Sequence, residues 1–83
     1  MKVTVKYFAS IREEIGRAGE VVDTSAPSCG GLRDELLARG GAHAQALARG
    51  KSVRMALDQV MADEAAPLKE GCEVAFFPPV TGG

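Results

Sequence analysis

An α+β fold is predicted for this chain of 83 residues by three observations. Polar and apolar residues alternate at its start, a second β-rich run lies near its end, and one long helical stretch falls between them. At the start, Val3, Val5 and Tyr7 share one phase while Lys2, Thr4 and Lys6 share the other. A period of two in β-branched residues predicts a strand over residues 2–8 with one buried face. Phe8 is the exception, since it lands on the polar phase.

The next stretch, "SIREEIG", has Ile11 and Ile15 four apart and Gly16 as a stop, which predicts a short amphipathic helix. "GEVVDT" reads as a second strand, with Val22 flanked by Glu20 and Asp23. The main helix is "PSCGGLRDELLARGG", where Ser28 caps the start, Leu32, Leu36 and Leu37 form the apolar stripe, and Gly40-Gly41 ends it. Gly30 and Gly31 fall in its first turn, against propensity by about 1 kcal/mol each. "AHAQALARG" predicts one or two further helical turns. In "KSVRMALDQVMAD", Val53, Met55 and Leu57 alternate up to Asp58-Gln59, giving two short strands around a tight turn. "APLKEG" is a connector, and a last strand runs over residues 72–77.

The order β, short α, β, α, short α, β, β, β fits a β-grasp, the ubiquitin-like architecture: a small mixed sheet crossed by one main helix, with the first and last strands parallel at its centre. The expected division is a β-grasp domain over residues 1–77 and an extended, flexible tail over residues 78–83.

Composition narrows the function classes. Ten basic and eleven acidic residues give a net charge of −1, and no basic cluster is present to support binding to nucleic acid or a membrane surface. The opening residues lack the apolar block of a signal peptide, so a cytoplasmic location is expected. Cys29 and Cys72 are too few for a zinc site or a disulfide framework and read as two reduced thiols. His43, alone of its kind, reads as a surface residue. No metal motif, phosphate-cradling loop or nucleophile–base pair stands out, so the chain is expected not to be an enzyme on its own and to bind no cofactor.

The final stretch, "EVAFFPPVTGG", carries the chemistry. Pro78 and Pro79 remove two backbone donors and fix φ near −65°, so the sheet ladder should stop there and the chain leave in extended form. From Val80 to Gly83 such a segment reaches on the order of 13 Å. Gly82 and Gly83 have no side chains, so they pass where a Cβ does not fit and adopt dihedrals closed to other residues. After Glu73 no side chain is charged, so burying this tail in a partner involves no desolvation of a charged side chain. A terminal carboxylate delivered in this way is a substrate. Attack on the α-phosphate of ATP would give an acyl-adenylate, and sulfide would convert that anhydride to a thiocarboxylate, an ionised sulfur nucleophile at neutral pH in the manner of a thiolate.

Three stretches, "YFASIREEIG", "LDQV" and "PLKEGCEVAFFPPVTGG", the last above all in its final eight residues, resemble the small subunits of molybdopterin synthase, ubiquitin-like sulfur carriers of molybdenum cofactor biosynthesis. The resemblance covers the full length. It implies a cycle in which an adenylating enzyme related to ubiquitin activators uses ATP-Mg on the carboxylate of Gly83. A sulfurtransferase system then forms the thiocarboxylate, and the tail (Pro78, Pro79, Val80, Thr81, Gly82) inserts into the large subunit. Sulfur passes there to cyclic pyranopterin monophosphate, two loaded carriers serving each dithiolene, within a heterotetramer.

Phe8 and Phe77 lie on the polar phases of their strands, and Met61 sits just beyond the tight turn. Large apolar groups on an otherwise solvated face suggest a partner site. The resemblance implies the same positions and adds Arg12. Cys29 and Cys72 depart from the family pattern. Since Cys72 lies roughly 17 Å of strand before Phe77, a thiol there does not reach Gly83 on its own molecule. Three other functions share these features: a thiamine-type sulfur carrier, a ubiquitin-like protein modifier, and an interaction domain whose terminal glycines are silent.

Overall fold

The structure is a computed structural model and describes residues 1–79. Its elements follow the predicted order: β1 (Lys2–Tyr7), α1 (Ala9–Ile15), β2 (Gly19–Asp23), α2 (Cys29–Leu37), α3 (Gly41–Ala46), β3 (Arg54–Leu57), β4 (Val60–Ala62) and β5 (Glu73–Phe77). The five strands form one sheet in the order β2-β1-β5-β3-β4. β1 and β5 pair in parallel at its centre, and every other pairing is antiparallel. This is the β-grasp expected. None of the helices among the described residues is long and apolar enough to cross a membrane.

The sheet's inner face is set by the alternation read in β1. Val5 pairs with Val74 and Tyr7 with Phe76, so these four side chains point to the same side, where they are buried. The Tyr7 and Phe76 rings stack with centroids 6.3 Å apart. Against them pack Ile11 of α1, Leu32 and Leu36 of α2, and Leu47 after α3. Each such side chain contributes roughly 1.5–3 kcal/mol by leaving water.

The glycines at the start of α2 have a tertiary cause. Ser28 caps the helix as expected, its Oγ accepting from Gly31 N at 3.2 Å. The N–H groups of Cys29 and Gly30 donate to the carbonyls of Ala66 and Glu64 in the β4–β5 connector. That approach is close: a Cβ on Gly30 would lie 2.8 Å from the Glu64 Cβ. Helix propensity is given up locally so that the connector can satisfy the free N–H groups of the first turn. At the other end α2 stops at Leu37, three residues earlier than Gly40. Gly40, at φ 75°, instead precedes α3 as its N-cap residue.

One buried and one half-buried polar residue, Arg33 and Glu20, hold the short α3. Arg33 is only 4% exposed, and its guanidinium donates to the carbonyls of Leu47 at 2.8 Å and Ala48 at 2.7 Å. Glu20, on β2, accepts from Tyr7 Oη at 2.7 Å and from Arg39 Nη1 at 2.8 Å, and lies 3.0 Å from His43 Nε2. His43 is therefore not the surface residue expected. Its side chain is 18% exposed and its ring meets Tyr7 edge-on at 5.9 Å. The expectation failed because its partner lies 23 residues away in sequence.

Burial pushes the Glu20 carboxyl up, but hydrogen bonds from Arg39, His43 and Tyr7 together outweigh it and bring the group from 4.5 down to about 2. Burial, and then Glu20 itself, pushes the Tyr7 phenol well above its ordinary value, which keeps it a proton donor. A carboxylate whose folded pKa is depressed stabilises the fold above its unfolded pKa. That contribution is lost as pH falls from about 4.5 toward about 2. Glu20→Gln is expected to lower stability at neutral pH by about 2 kcal/mol and to flatten the acid limb, as read by urea denaturation across that range.

Candidate functional site

The register that buries Tyr7 and Phe76 sends their successors to the opposite side of the sheet. Phe77, the last residue of β5, is half-buried there, and Arg54 is its partner on β3. One step back along β5, Ala75 pairs with Ala56 of β3, which pairs with Met61 of β4. Ala75 also pairs with Lys6 of β1. The centre of this outer face is thus a floor of small side chains, Ala56 and Ala75, bordered by Phe77 and by Met61, which is 58% exposed.

Phe8 differs from expectation in its backbone. It is not the last residue of the strand but the N-cap residue of α1, at φ −128°. Its N–H donates to the Phe76 carbonyl at 3.1 Å, and its own carbonyl accepts from Ile11 and Arg12. Ala9 then takes φ 51°, a left-handed conformation that is strained for any residue with a Cβ. The chain turns sharply into the helix and leaves the Phe8 ring 46% exposed. Arg12, one turn further along α1, is exposed and shares a shallow groove of about 450 Å3 with Phe8, Lys6, Gly19 and Val21.

Because β1 and β5 run parallel, Phe8 and Phe77 emerge at the same end of the sheet. The chain leaves β5 at that end as well, through Pro78 and Pro79, which are half-buried and outside the ladder as their chemistry requires. The residues expected at an interface, Phe8, Met61 and Phe77 from the sequence pattern and Arg12 from the resemblance, lie on the outer face and its rim. Val80, Thr81, Gly82 and Gly83, the rest of the expected extended tail, lie outside the described residues.

Neither thiol belongs to this site. Cys29 and Cys72 are both free and both buried, and burial, followed by the neighbouring Cys72, pushes the Cys29 thiol up. Among the described residues no group of three or more His, Cys, Asp and Glu side chains is placed to hold a metal ion.

One residue of the outer face was not singled out from the sequence. Arg54 is exposed beside Phe77, and the alternation of Val53, Met55 and Leu57 was the signal that could have placed it there.

The fold and this outer face define the chain as a β-grasp protein of the ubiquitin-like class, with an aromatic face at the root of a glycine-ended segment. The ThiS family model matches residues 5–83, and the chain belongs to the ThiS family. It is 40% identical over 81 residues to the molybdopterin synthase sulfur carrier subunit of Escherichia coli (strain K12), covering 98% of this chain and 99% of that one. A solved complex of subunits 1 and 2 of molybdopterin-converting factor from Helicobacter pylori 26695 contains a similar chain. That likeness has a TM-score of 0.70 and 25% identity, with 100% of both chains covered. Small archaeal modifier protein 1 of H. volcanii is similar too, with a TM-score of 0.76, 25% identity and coverage of 95% of this chain and 98% of that one.

The β3–β4 turn holds Met61 in place at a conformational cost. Asp58 and Gln59 have φ of 50° and 68°, the pair of positive values of a type I′ turn, which favours Gly at its second position. Asp58 compensates by donating its backbone N–H to the Glu73 carbonyl at 2.8 Å and accepting from the Glu73 N–H through Oδ1 at 2.9 Å. Gln59 has no such contact among the described residues. Gln59→Gly is expected to raise stability by about 0.5–1 kcal/mol, relief of left-handed strain exceeding the added chain entropy. Thermal unfolding would show it as a rise of a few degrees.

Proposed function

We propose that this chain is the sulfur carrier of a molybdopterin synthase, non-catalytic by itself, with the carboxylate of Gly83 as its working group. The carboxylate attacks the α-phosphorus of ATP on an Mg-dependent adenylating enzyme, pyrophosphate leaves, and an acyl-adenylate forms. Sulfide attacks the acyl carbon and expels AMP, leaving a thiocarboxylate. The loaded tail enters the large subunit and gives its sulfur to cyclic pyranopterin monophosphate. The chain's own residues supply presentation: Phe8, Phe77 and Met61 dock with Arg12 at the rim, and Pro78 and Pro79 direct the tail away from the sheet.

One observation carries this reading. The parallel pairing of β1 with β5 gathers the exposed Phe8, the half-buried Phe77 and the point where the chain leaves β5 at a single end of the sheet. A partner that seats the face then receives the tail in a defined direction, which replaces a random search by an intramolecular one. The relative from Escherichia coli and the two-subunit complex from Helicobacter pylori support the same assignment.

The likeness to an archaeal modifier protein favours a second reading, in which the same activated carboxylate is joined to amino groups of other proteins. Intact mass of the chain from cells competent in sulfur transfer separates the two. Replacement of one oxygen by sulfur at the C-terminus is expected; a ladder of heavier conjugates would favour the modifier instead. Deleting Gly83, or adding a residue after it, is expected to abolish cofactor synthesis while thermal unfolding stays unchanged.

Phe77→Ala tests the docking face. It is expected to weaken binding to the large subunit by about tenfold or more, the loss typical of a central aromatic anchor, with the domain still folded. An unchanged dissociation constant would remove Phe77 from the interface.

A further inference from the structure

The basic residues of this chain are distributed unevenly between internal and external work. Arg17, Arg39, Arg33 and Arg49 all form ion pairs with carboxylates of the chain itself. Of the lysines, Lys6 and Lys51 do the same, and Lys2 and Lys69 form no such pair among the described residues. Among the described residues only two arginines have no such pair, Arg12 and Arg54, and both are exposed. Arg54 is the direct cross-strand partner of Phe77, and Arg12 lies in the groove beside Phe8. The two guanidinium groups without a partner among the described residues thus flank the exposed Phe8 and the half-buried Phe77. In a chain whose net charge is −1, carboxylates are not scarce, yet among the described residues none comes within ion-pairing distance of either arginine.

We propose that Arg54 is a docking residue, and that the protein seated on the Phe8–Phe77 face presents a carboxylate to it. The proposal rests on the docking face described under the proposed function and names the chemistry of the partner's surface: an apolar patch bordered by acidic side chains. The guanidinium group suits this task because it remains charged at any working pH and its planar fork matches a carboxylate with two parallel hydrogen bonds. Placed at the rim of an apolar contact, it acts on the encounter. Opposite charge at a rim raises the association rate and fixes orientation, and salt screens both effects.

The test compares association kinetics of the full chain with its large-subunit partner over a range of ionic strength. The variants are Arg54→Glu, Arg54→Lys and Phe77→Ala. Arg54→Glu is expected to slow association about tenfold at low salt, and the difference should shrink as salt is added. Arg54→Lys should retain most of the wild-type rate and its salt dependence. All three substitutions replace residues that are exposed or half-buried, and thermal unfolding confirms that each variant is folded.

If Arg54→Glu associates like the wild type at every ionic strength while Phe77→Ala binds weakly, the docking face stands and the acidic counterpart is refuted. If both variants bind like the wild type, the docking face fails and this proposal fails with it. If the free chain sediments as a dimer that Arg54→Glu or Phe77→Ala dissolves, the face belongs to a second copy, which also overturns the proposal.

Discussion

The parallel pairing of β1 with β5 is the constraint on which the rest of the molecule depends. Two parallel neighbours cannot be joined by a tight turn, so residues 8–72 must form the crossover, and the helices must lie on one face of the sheet. Val5 against Val74 and Tyr7 against Phe76 then fill the centre of the core. Since side chains alternate with a period of two, a slip of one residue in this pair would put Phe77 in the core and Phe76 in solvent. Fold and outer face are therefore fixed by one register.

The two faces of the sheet solve different problems. Inside, leucines from α2 and the residue after α3 supply apolar burial. The short α3 contributes little of it, since its sequence is "GAHAQA" and only Ala46 is buried within it. Polar contacts do the remaining work: Arg33 holds the carbonyls that follow α3, and Glu20 joins β1, β2, α3 and the turn before it. These groups are desolvated, so each stabilises the fold only while its partners are in place. Outside, Ala56 and Ala75 leave room over the sheet, and the large side chains stand around that floor.

Much of this was legible in the sequence, and the failures share one cause. The element order followed from local periodicity, and the Ser28 cap from a local hydrogen bond. His43, Gly30 and the boundary at Phe8 were not legible, because each is decided by a residue remote in sequence: Glu20, Glu64 and Phe76 respectively. Arg54 escaped notice for a related reason. Its significance is that it lacks an ion pair among the described residues, which is a property of the whole set of charges and not of any motif. Phe8 and Phe77 were legible because a large apolar group on a polar phase is visible in alternation alone, Met61 because it follows the tight turn, and Arg12 only through the resemblance.

The placement of the two cysteines sharpens the chemistry of a sulfur carrier. A thiol reacts as its thiolate, and it must be reached by its target. Cys29 fails on both counts, since it is buried and its thiol is pushed up by that burial and by Cys72. Cys72 is buried too, and the extended span of β5 separates it from the point where the chain leaves the sheet. An accessible thiol on the outer face would compete for an activated acyl group brought there by the partner. By keeping both thiols inside the core, the fold withholds them from chemistry at the outer face.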